Sequence, residues 1–219
     1  KLKIMLHHEI SGNGKKPLVL LHGFMENTTI WDEMEAHLSK DFTLIKIDLP
    51  GHGKSKVYQE IHTVELMAEK VKEVIDALKL EKINLLGHSL GGYVSLAFAE
   101  KFPEILESMT LFFSTTVADD EEKKAIRKRS IAVIDENFET FVKTSIPNLF
   151  SNNEKDILEG KIELAKNIAK STNKEGVKAA QLGMAERPDR TEILENLDAK
   201  ILIIAGKYDN AVKTENLLK

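Results

Sequence analysis

The residue pattern with the clearest chemical meaning is Gly-His-Ser-Leu-Gly-Gly at positions 87–92. An apolar run precedes it at 83–86 and an amphipathic stretch follows, which predicts a sharp turn from a strand into a helix. Such a turn holds the serine in a strained conformation, with its hydroxyl above the sheet edge and helix N–H groups beside it. The pattern therefore predicts Ser89 as a nucleophile, against the alternative of a serine that only caps a helix.

A second candidate element is His-Gly-Phe at 22–24, directly after the apolar run at 17–21. Acyl transfer through a serine forms a tetrahedral oxyanion, which preorganised N–H donors must meet. We expect the backbone N–H groups of Leu90 and Phe24 to be these donors. His22 is a candidate general base, but its position directly after a strand favours a structural role, with hydrogen bonds to the loop.

A third element is Lys-Tyr-Asp at 207–209, just after the apolar run at 200–205. An aspartate at the end of a late parallel strand suits the acid that orients a catalytic histidine. The alternative for Asp209 is an ordinary loop or helix-capping role. The chain order, with Ser89 first and the aspartate later, favours the catalytic interpretation.

These residues need a scaffold, and the apolar pattern predicts one of the α/β class. Short apolar runs alternate with amphipathic stretches, as strands and crossover helices do in a mostly parallel sheet. We expect strands at 4–10, 17–22, 42–48, 82–87, 109–113 and 200–205, and helices at 29–38, 64–80, 90–101 and from about Lys213.

The alternation stops at about Thr116 and resumes after Arg190. The intervening sequence is helical in pattern, charged and free of predicted strands, which indicates an inserted helical lid. We therefore divide the chain into a first core segment (1–115), the lid (116–190) and a second core segment (191–219). Apolar lid residues such as Phe138 and Phe141 are expected mainly to pack the lid on the core.

Composition excludes several functions. The chain has 219 residues, of which 42% are hydrophobic and 30% charged, with a net charge of −4 and no basic stripe, so nucleic acid is not an expected partner. The opposite charges at 119–129 predict a solvated helix face. No segment has the about 20 apolar residues that span a bilayer, so no membrane association is expected. The absence of cysteine fits a cytoplasmic location.

Metal binding is not expected either. His7 and His8 are adjacent in the predicted opening strand, where successive side chains face opposite sides of the sheet. The two imidazoles would therefore point apart.

Four motifs in order resemble the α/β-hydrolase superfamily, in particular its small bacterial esterases, perhydrolases and meta-cleavage hydrolases. They are His-Gly-Phe at 22–24 with Trp31 following, Asp-Leu-Pro-Gly-His-Gly-Lys-Ser at 48–55, Gly-His-Ser-Leu-Gly-Gly at 87–92 and Gly-Lys-Tyr-Asp at 206–209. The resemblance implies the α/β-hydrolase fold, with Ser89 as nucleophile and Asp209 as triad acid. It implies Phe24 and Leu90 as oxyanion donors, a structural role for 48–55, and no cofactor or metal.

The resemblance also implies a catalytic histidine after one further strand beyond Asp209. The chain has seven histidines, and none follows Ser89. Three explanations remain open. Another histidine has taken over the role, the protein is a catalytically inactive relative, or the sequence is truncated before its last strand and helix, which is the explanation we favour.

The resulting expectation is a serine hydrolase that cleaves a small carboxylic ester, or a related acyl or carbon–carbon substrate, through an acyl-serine intermediate. An aspartate in place of Ser89 would be expected for a haloalkane dehalogenase or an epoxide hydrolase, so those activities are not expected. The alternative is an inactive protein of the same fold that binds an apolar small molecule or a partner under the lid. Oligomeric state is left open by the sequence.

Overall fold

The computed structural model of the protein describes residues 5–209 and 212, which include one six-stranded sheet. The strands are β1 (His8–Ser11), β2 (Lys16–Leu21), β3 (Phe42–Ile47), β4 (Ile83–His88), β5 (Leu106–Phe112) and β6 (Lys200–Ile204). Their order across the sheet is β1-β3-β2-β4-β5-β6, and every neighbouring pair is parallel except β1 with β3. The predicted fold class, a mostly parallel sheet flanked by helices, is confirmed.

Seven α-helices accompany these strands in the described part of the chain. They are α1 (Asp32–Leu38), α2 (Val64–Ala77), α3 (Leu90–Lys101), α4 (Glu121–Ser145), α5 (Glu159–Ser171), α6 (Lys174–Glu186) and α7 (Thr191–Glu195). Two of the longer helices begin at a side-chain cap. The Thr63 side chain accepts a hydrogen bond from the N–H of Leu66 at the start of α2, and the Asp120 side chain accepts one from the N–H of Lys123 at the start of α4. Among the described residues, no helix is both long and apolar enough to cross a membrane.

Both faces of the sheet are buried at β2, which explains the uninterrupted apolar run in this strand. Val19 and Leu21 lie in a large cluster that α2 and α3 cover, whereas Leu18 and Leu20 lie on the opposite face with Trp31. Successive strand side chains point to opposite faces, so a strand covered on both sides must be apolar throughout. The pattern at 17–22 follows from this double burial.

Several element boundaries differ from the prediction. The opening strand is β1 at His8–Ser11 rather than 4–10, and Leu38 ends a helix that is preceded by a short 3-10 helix at Thr28–Trp31. Strand β5 begins three residues earlier than expected. Helix α2 ends at Ala77 instead of residue 80, because Lys79 has a positive φ of 55° that a helix cannot contain. The helix expected from Lys213 lies outside the described residues.

Helices α4, α5 and α6 fall within the segment interpreted as the lid. Helix α4 is interrupted at Asn137, whose φ of −154° and ψ of 88° are not helical. Helix α6 contacts the loop after β3 backbone to backbone: a Cβ at Gly183 would lie 1.8 Å from the carbonyl oxygen of His62. The N–H of His62 also donates to the carbonyl of Ala179. Helix α6 is therefore seated directly on the core.

The base of the lid is held by buried charges. Asp119 is 5% exposed and accepts hydrogen bonds from the guanidinium groups of Arg187, at 2.9 Å, and Arg127. The predicted solvated face is wrong at Asp119, because this residue precedes α4 and turns into the core. The Arg187 guanidinium also lies over the ring of Tyr93 in α3, with 3.9 Å from its carbon to the ring centroid.

A second buried arginine ties the end of the lid to two core helices. Arg190 contacts Glu65 at the start of α2 and Glu100 near the end of α3, the latter at 2.9 Å. Its backbone N–H donates to the carbonyl of Thr116. The two ends of the lid segment are therefore bonded to each other as well as to the core.

Candidate active site

Ser89 lies at the junction of β4 and α3 in a strained backbone conformation, with φ 48° and ψ −110°. Its N–H donates to the carbonyl of Phe112 at the end of β5. Its carbonyl accepts hydrogen bonds from the N–H of Gly92 at 2.9 Å and from the hydroxyl of Ser114 at 2.8 Å. The neighbouring strand and the helix thus hold the serine backbone from both sides. Within the described residues, its Oγ makes no hydrogen bond.

Unusual backbone geometry is concentrated at this edge of the sheet. Four non-glycine residues have a positive φ in the described chain, and three of them follow β2, β4 and β5: Met25, Ser89 and Phe113. The fourth, Lys79, ends a helix. Strained residues persist where surrounding structure holds them in place, and they cluster at functional sites.

Two glycines let the strand-to-helix turn at 87–92 form, the nucleophile elbow that carries Ser89. A Cβ at Gly91 would lie 2.2 Å from the carbonyl oxygen of Leu21 in β2, and a Cβ at Gly87 would lie 2.2 Å from the carbonyl oxygen of Gly91. Both clashes are with backbone, which has little freedom to move. The glycine spacing in the motif is therefore a steric requirement of the strand-to-helix turn.

The two N–H groups expected as oxyanion donors are both without an acceptor among the described residues. Leu90 is the first residue of α3, where a helix N–H has no partner within the helix. Phe24 belongs to the loop after β2, which lies against the elbow: a Cβ at Gly23 would be 2.9 Å from Nδ1 of His88. The fold thus brings the loop that carries Phe24 to the strand end that carries Ser89.

The orientation of the Phe24 N–H is set by the carbonyl before it. The Gly23 carbonyl accepts hydrogen bonds from Nδ1 of His22 at 2.7 Å and from the N–H of Glu26 at 3.3 Å. In a trans peptide the carbonyl and the following N–H point in opposite directions. The Phe24 N–H is therefore directed away from these donors.

His22 uses both ring nitrogens in backbone contacts. Nδ1 bonds the Gly23 carbonyl, and Nε2 accepts the N–H of Leu49 at 2.9 Å. Complete burial lowers its pKa to about 4, so the ring is neutral at pH 7. A histidine with no free nitrogen cannot take a proton from Ser89, and the structural interpretation of His22 agrees with these contacts.

The segment 48–55 is a hydrogen-bonded loop beneath the site. Asp48 accepts the backbone N–H groups of Thr28 and Lys54, both at 2.9 Å. His52 is fully buried, its Nδ1 lies 3.1 Å from the carbonyl of Pro50, and burial lowers its pKa to about 3. The carboxylate of Asp48 therefore ties the loop to the start of the 3-10 helix at Thr28–Trp31, and Nε2 of His52 is buried without a hydrogen-bond partner among the described residues.

The sequence interpretation missed Glu26. Its Oε2 accepts the N–H of Gly23 at 2.5 Å and lies 2.8 Å from Nδ1 of His88. The ring of His88 also stacks near that of Phe112, with centroids 5.6 Å apart. The sequence offered one clue, a carboxylate three residues after Gly23 in a loop expected to carry an oxyanion donor.

Asp209 lies in the loop after β6, at the same edge of the sheet as Ser89. Its N–H donates to the carbonyl of Gly206, and its Oδ1 accepts the N–H of Val212 at 2.9 Å. Its negative charge contributes to a raised pKa at His88, after the larger effects of burial, which lowers that pKa, and of Glu26, which raises it. The aspartate is therefore electrostatically coupled to the elbow.

An apolar cluster from the lid meets the same loop. Met25 is 2% exposed and packs with lid residues that include Phe141 and Val142, and Phe24 and Phe138 pack at the margin of this cluster. The lid therefore contacts the loop that carries the Phe24 N–H.

This fold and site define a family. Residues 16–219 match the family model for the alpha/beta hydrolase fold, and the chain belongs to that family. A thermophilic esterase from Thermogutta terrifontis has a similar solved structure, with a TM-score of 0.91 and 34% identity over 97% of this chain and 79% of the esterase. The fold and family implied by the sequence motifs are thus confirmed, and the relatives include an esterase.

Curated relatives extend the comparison. A Bacillus subtilis protein named as a putative 2-succinyl-6-hydroxy-2,4-cyclohexadiene-1-carboxylate synthase is 29% identical over 90% of this chain and 75% of its own length. An uncharacterized protein of Mycobacterium tuberculosis is 34% identical over 51% of this chain. That match spans only 32% of the Mycobacterium protein.

Proposed function

We propose that the protein is a serine hydrolase that cleaves small carboxylic esters through an acyl-serine intermediate on Ser89. One observation carries the proposal: Ser89 is strained and directly precedes the N–H of Leu90, and the loop that carries the Phe24 N–H packs against its neighbour His88. Neither N–H has an acceptor among the described residues. Acyl transfer requires such an arrangement, because it develops negative charge on an oxygen next to the nucleophile.

In this mechanism Ser89 Oγ attacks the ester carbonyl and its proton passes to a general base. The carbonyl oxygen becomes an oxyanion that the two N–H groups stabilise. The alcohol then leaves with that proton, and water hydrolyses the acyl-serine by the same route in reverse. We assign Asp209 as the residue that orients the base.

The base itself is a separate requirement. Burial keeps His22 and His52 neutral, and backbone contacts occupy both ring nitrogens of His22. The proposal assigns the base to a histidine outside the 219 residues. The gene sequence tests this assignment directly. A histidine after one further strand is expected within about 20 to 35 residues of Asp209, following the serine, aspartate, histidine order of such hydrolases.

The substrate proposal rests on the apolar lid. The cluster around Met25, Phe138 and Phe141 borders the loop with the proposed oxyanion donor and favours an apolar acyl or aromatic group of modest size. The esterase activity named for the Thermogutta terrifontis structure supports an ester as the substrate class.

The test is hydrolysis of p-nitrophenyl butyrate and labelling by a fluorophosphonate, compared between the natural protein and Ser89→Ala. We expect a single adduct in the natural protein, no adduct in the variant, and a loss of at least about 10⁴-fold in kcat. Ser171→Ala, at an exposed position in α5, is the matched control and should retain both. Undiminished hydrolysis in Ser89→Ala would refute the proposal.

The second candidate is a non-enzymatic protein of the same fold that binds an apolar small molecule or a partner under the lid. It is favoured by one observation, that the sequence has no histidine after His88. In that case the natural protein forms no fluorophosphonate adduct and does not hydrolyse the ester.

A further inference from the structure

A single carboxylate oxygen joins the loop after β2 to the nucleophile elbow. Oε2 of Glu26 accepts the N–H of Gly23 at 2.5 Å and lies 2.8 Å from Nδ1 of His88, the residue before Ser89. Both side chains are 24% exposed, so water has limited access to the contact. The two residues are 62 positions apart in sequence, and this contact exists only because β2 and β4 are neighbours.

The contact favours the charged forms of both groups. Burial by itself raises the pKa of Glu26 and lowers that of His88, which favours the neutral forms. The opposite charges and the hydrogen bond outweigh burial, so the pKa of Glu26 is lowered and that of His88 is raised. The other titratable groups that act on the pair are His22, which is neutral at pH 7, and Asp209, which favours the charged form of His88.

This pair completes the fixing of the two peptide groups that meet at Gly23. The N–H of Gly23 is held by Glu26 Oε2, and its carbonyl is held by His22 and by the N–H of Glu26. Rotation of the peptide between Gly23 and Phe24 would pull the carbonyl away from both of its donors. The direction of the Phe24 N–H is thus fixed by contacts on the residue before it.

We propose that Glu26 and His88 are a positioning pair that holds the Phe24 N–H at the distance and angle from Ser89 that an oxyanion requires. The inference rests on the proposed serine hydrolase function and deepens it. Neither side chain needs to touch the substrate. Glu26 fixes the loop, and His88 anchors Glu26 to the elbow, so that the two halves of the proposed oxyanion hole keep one relative position.

The neighbouring glycine fits this assignment. A Cβ at Gly23 would lie 2.7 Å from Oε2 of Glu26 and 2.9 Å from Nδ1 of His88. Any larger residue at position 23 would separate the pair. The His-Gly-Phe element is thereby connected to a carboxylate and an imidazole that its motif does not contain.

The experiment compares the natural protein with Glu26→Ala and Glu26→Gln, using a p-nitrophenyl ester and a trifluoromethyl ketone inhibitor. The ketone adds the serine oxygen to its carbonyl and forms a tetrahedral oxyanion, so its affinity reports the oxyanion hole, whereas KM reports mainly ground-state binding. We expect kcat to fall about 10- to 100-fold in Glu26→Ala, a smaller loss than removal of an oxyanion donor outright. The inhibition constant should rise by the same factor, with KM changed less than about twofold.

Glu26→Gln keeps an oxygen that can accept the Gly23 N–H, and should recover part of the loss. The matched control is Glu69→Ala, which breaks the surface ion pair between Glu69 and Lys101. All kinetic constants should be unchanged in that variant. Should Glu26→Ala not fold, Glu26→Gln alone is expected to lose several-fold in kcat and inhibitor affinity together.

A measurement independent of activity tests the pair itself. The NMR titration of the His88 imidazole should show its midpoint at lower pH in either Glu26 variant than in the natural protein, because the partner charge is gone. An unchanged midpoint would overturn the proposal. So would unchanged kcat and inhibitor affinity in variants of an active protein, even with reduced thermal stability, since a purely structural pair predicts that result. A natural protein without Ser89-dependent hydrolysis would instead overturn the proposed function, and the positioning role with it.

Discussion

The sheet edge that carries Ser89 and the base of the lid are both buried, but different forces hold them. At the edge, backbone meets backbone: Gly91 packs against the carbonyl of Leu21, and the Ser89 N–H bonds the carbonyl of Phe112. At the base of the lid, side-chain charges make the contacts, with Asp119 between two arginines. The first region depends on the absence of side chains and the second on their pairing.

This difference predicts opposite sensitivities. A backbone contact does not titrate and is not screened by salt, but it leaves no room for a Cβ. A buried ion pair leaves its surroundings strongly destabilised when one partner is lost, because the other charge is then stranded in a poorly solvated place. Geometry at the edge and charge at the lid base are therefore the properties to perturb.

The largest expected effect comes from adding one methyl group at the edge. Gly91→Ala places a Cβ 2.2 Å from a β2 carbonyl oxygen, and the strand cannot yield without breaking its ladder with β4. We expect a loss of unfolding free energy above about 4 kcal/mol, within the exceptional range for single substitutions. Urea unfolding or the yield of folded protein measures it.

The control is Gly160→Ala in the first turn of α5, where an added Cβ meets nothing within 4 Å. That variant should be unchanged or more stable by up to about 1 kcal/mol, because alanine is the better helix former. Equal stability of the two alanine variants would contradict the steric account of the elbow.

The next effect tests the charges at the lid base. Asp119→Asn removes the carboxylate shared by Arg187 and Arg127, whose hydrogen bonds outweigh burial and lower its pKa. With the Arg187 side chain only 4% exposed, we expect a loss of about 3 kcal/mol, as for other broken buried ion pairs. Glu121→Gln, which affects the exposed pair with Lys124, should produce no measurable change.

Lowering the pH should act first on two buried side chains beneath the edge, His22 and His52, which titrate although the backbone contacts of the edge do not. The folded pKa values of His22 and His52, about 4 and about 3, lie below the ordinary value of 6.5, so the unfolded chain takes up protons first as the pH falls. Stability is then lost from about pH 6.5 downwards, by about 2 kcal/mol for each histidine at pH 5. Asp119, with its lowered pKa, stays charged in this window.

Urea midpoints at pH 7.5 and pH 5.0 measure this loss. His52→Gln keeps a donor for the Pro50 carbonyl and cannot titrate, so its loss between the two pH values should be smaller than that of the natural protein. His37→Gln, at an exposed position in α1, should leave the loss unchanged. Identical pH dependence in all three proteins would contradict the assignment of acid sensitivity to the buried rings.

The smallest effect is expected where a charge pair is exposed. Lys161 in α5 contacts Glu33 in α1, and the two side chains are 54% and 76% exposed. We expect Lys161→Met to change the unfolding free energy by at most about 0.5 kcal/mol, since surface pairs are hydrated and screened. A loss as large as that of Asp119→Asn would show that exposed contacts also fasten the lid.

The sequence predicted the local parts of the site well. The elbow is encoded within six residues, because a strand that turns directly into a helix needs glycine at fixed spacings. The neighbouring strand β2 was recognisable because double burial makes it an uninterrupted apolar run. Boundaries were less accurate, as at α2, where the positive φ of Lys79 ends the helix earlier than the apolar spacing suggests.

Only the tertiary structure decided which charges meet. The sequence contains 31 lysine and arginine and 35 aspartate and glutamate residues, and periodicity does not say how they pair. Asp119 looked like part of a solvated helix face and is instead buried, and Glu26 carried no motif of its own. Local backbone geometry depends on residues that are adjacent in the sequence, so the sequence by itself determined the elbow. A pair such as Glu26 and His88 depends on strand order, which only the folded chain supplies.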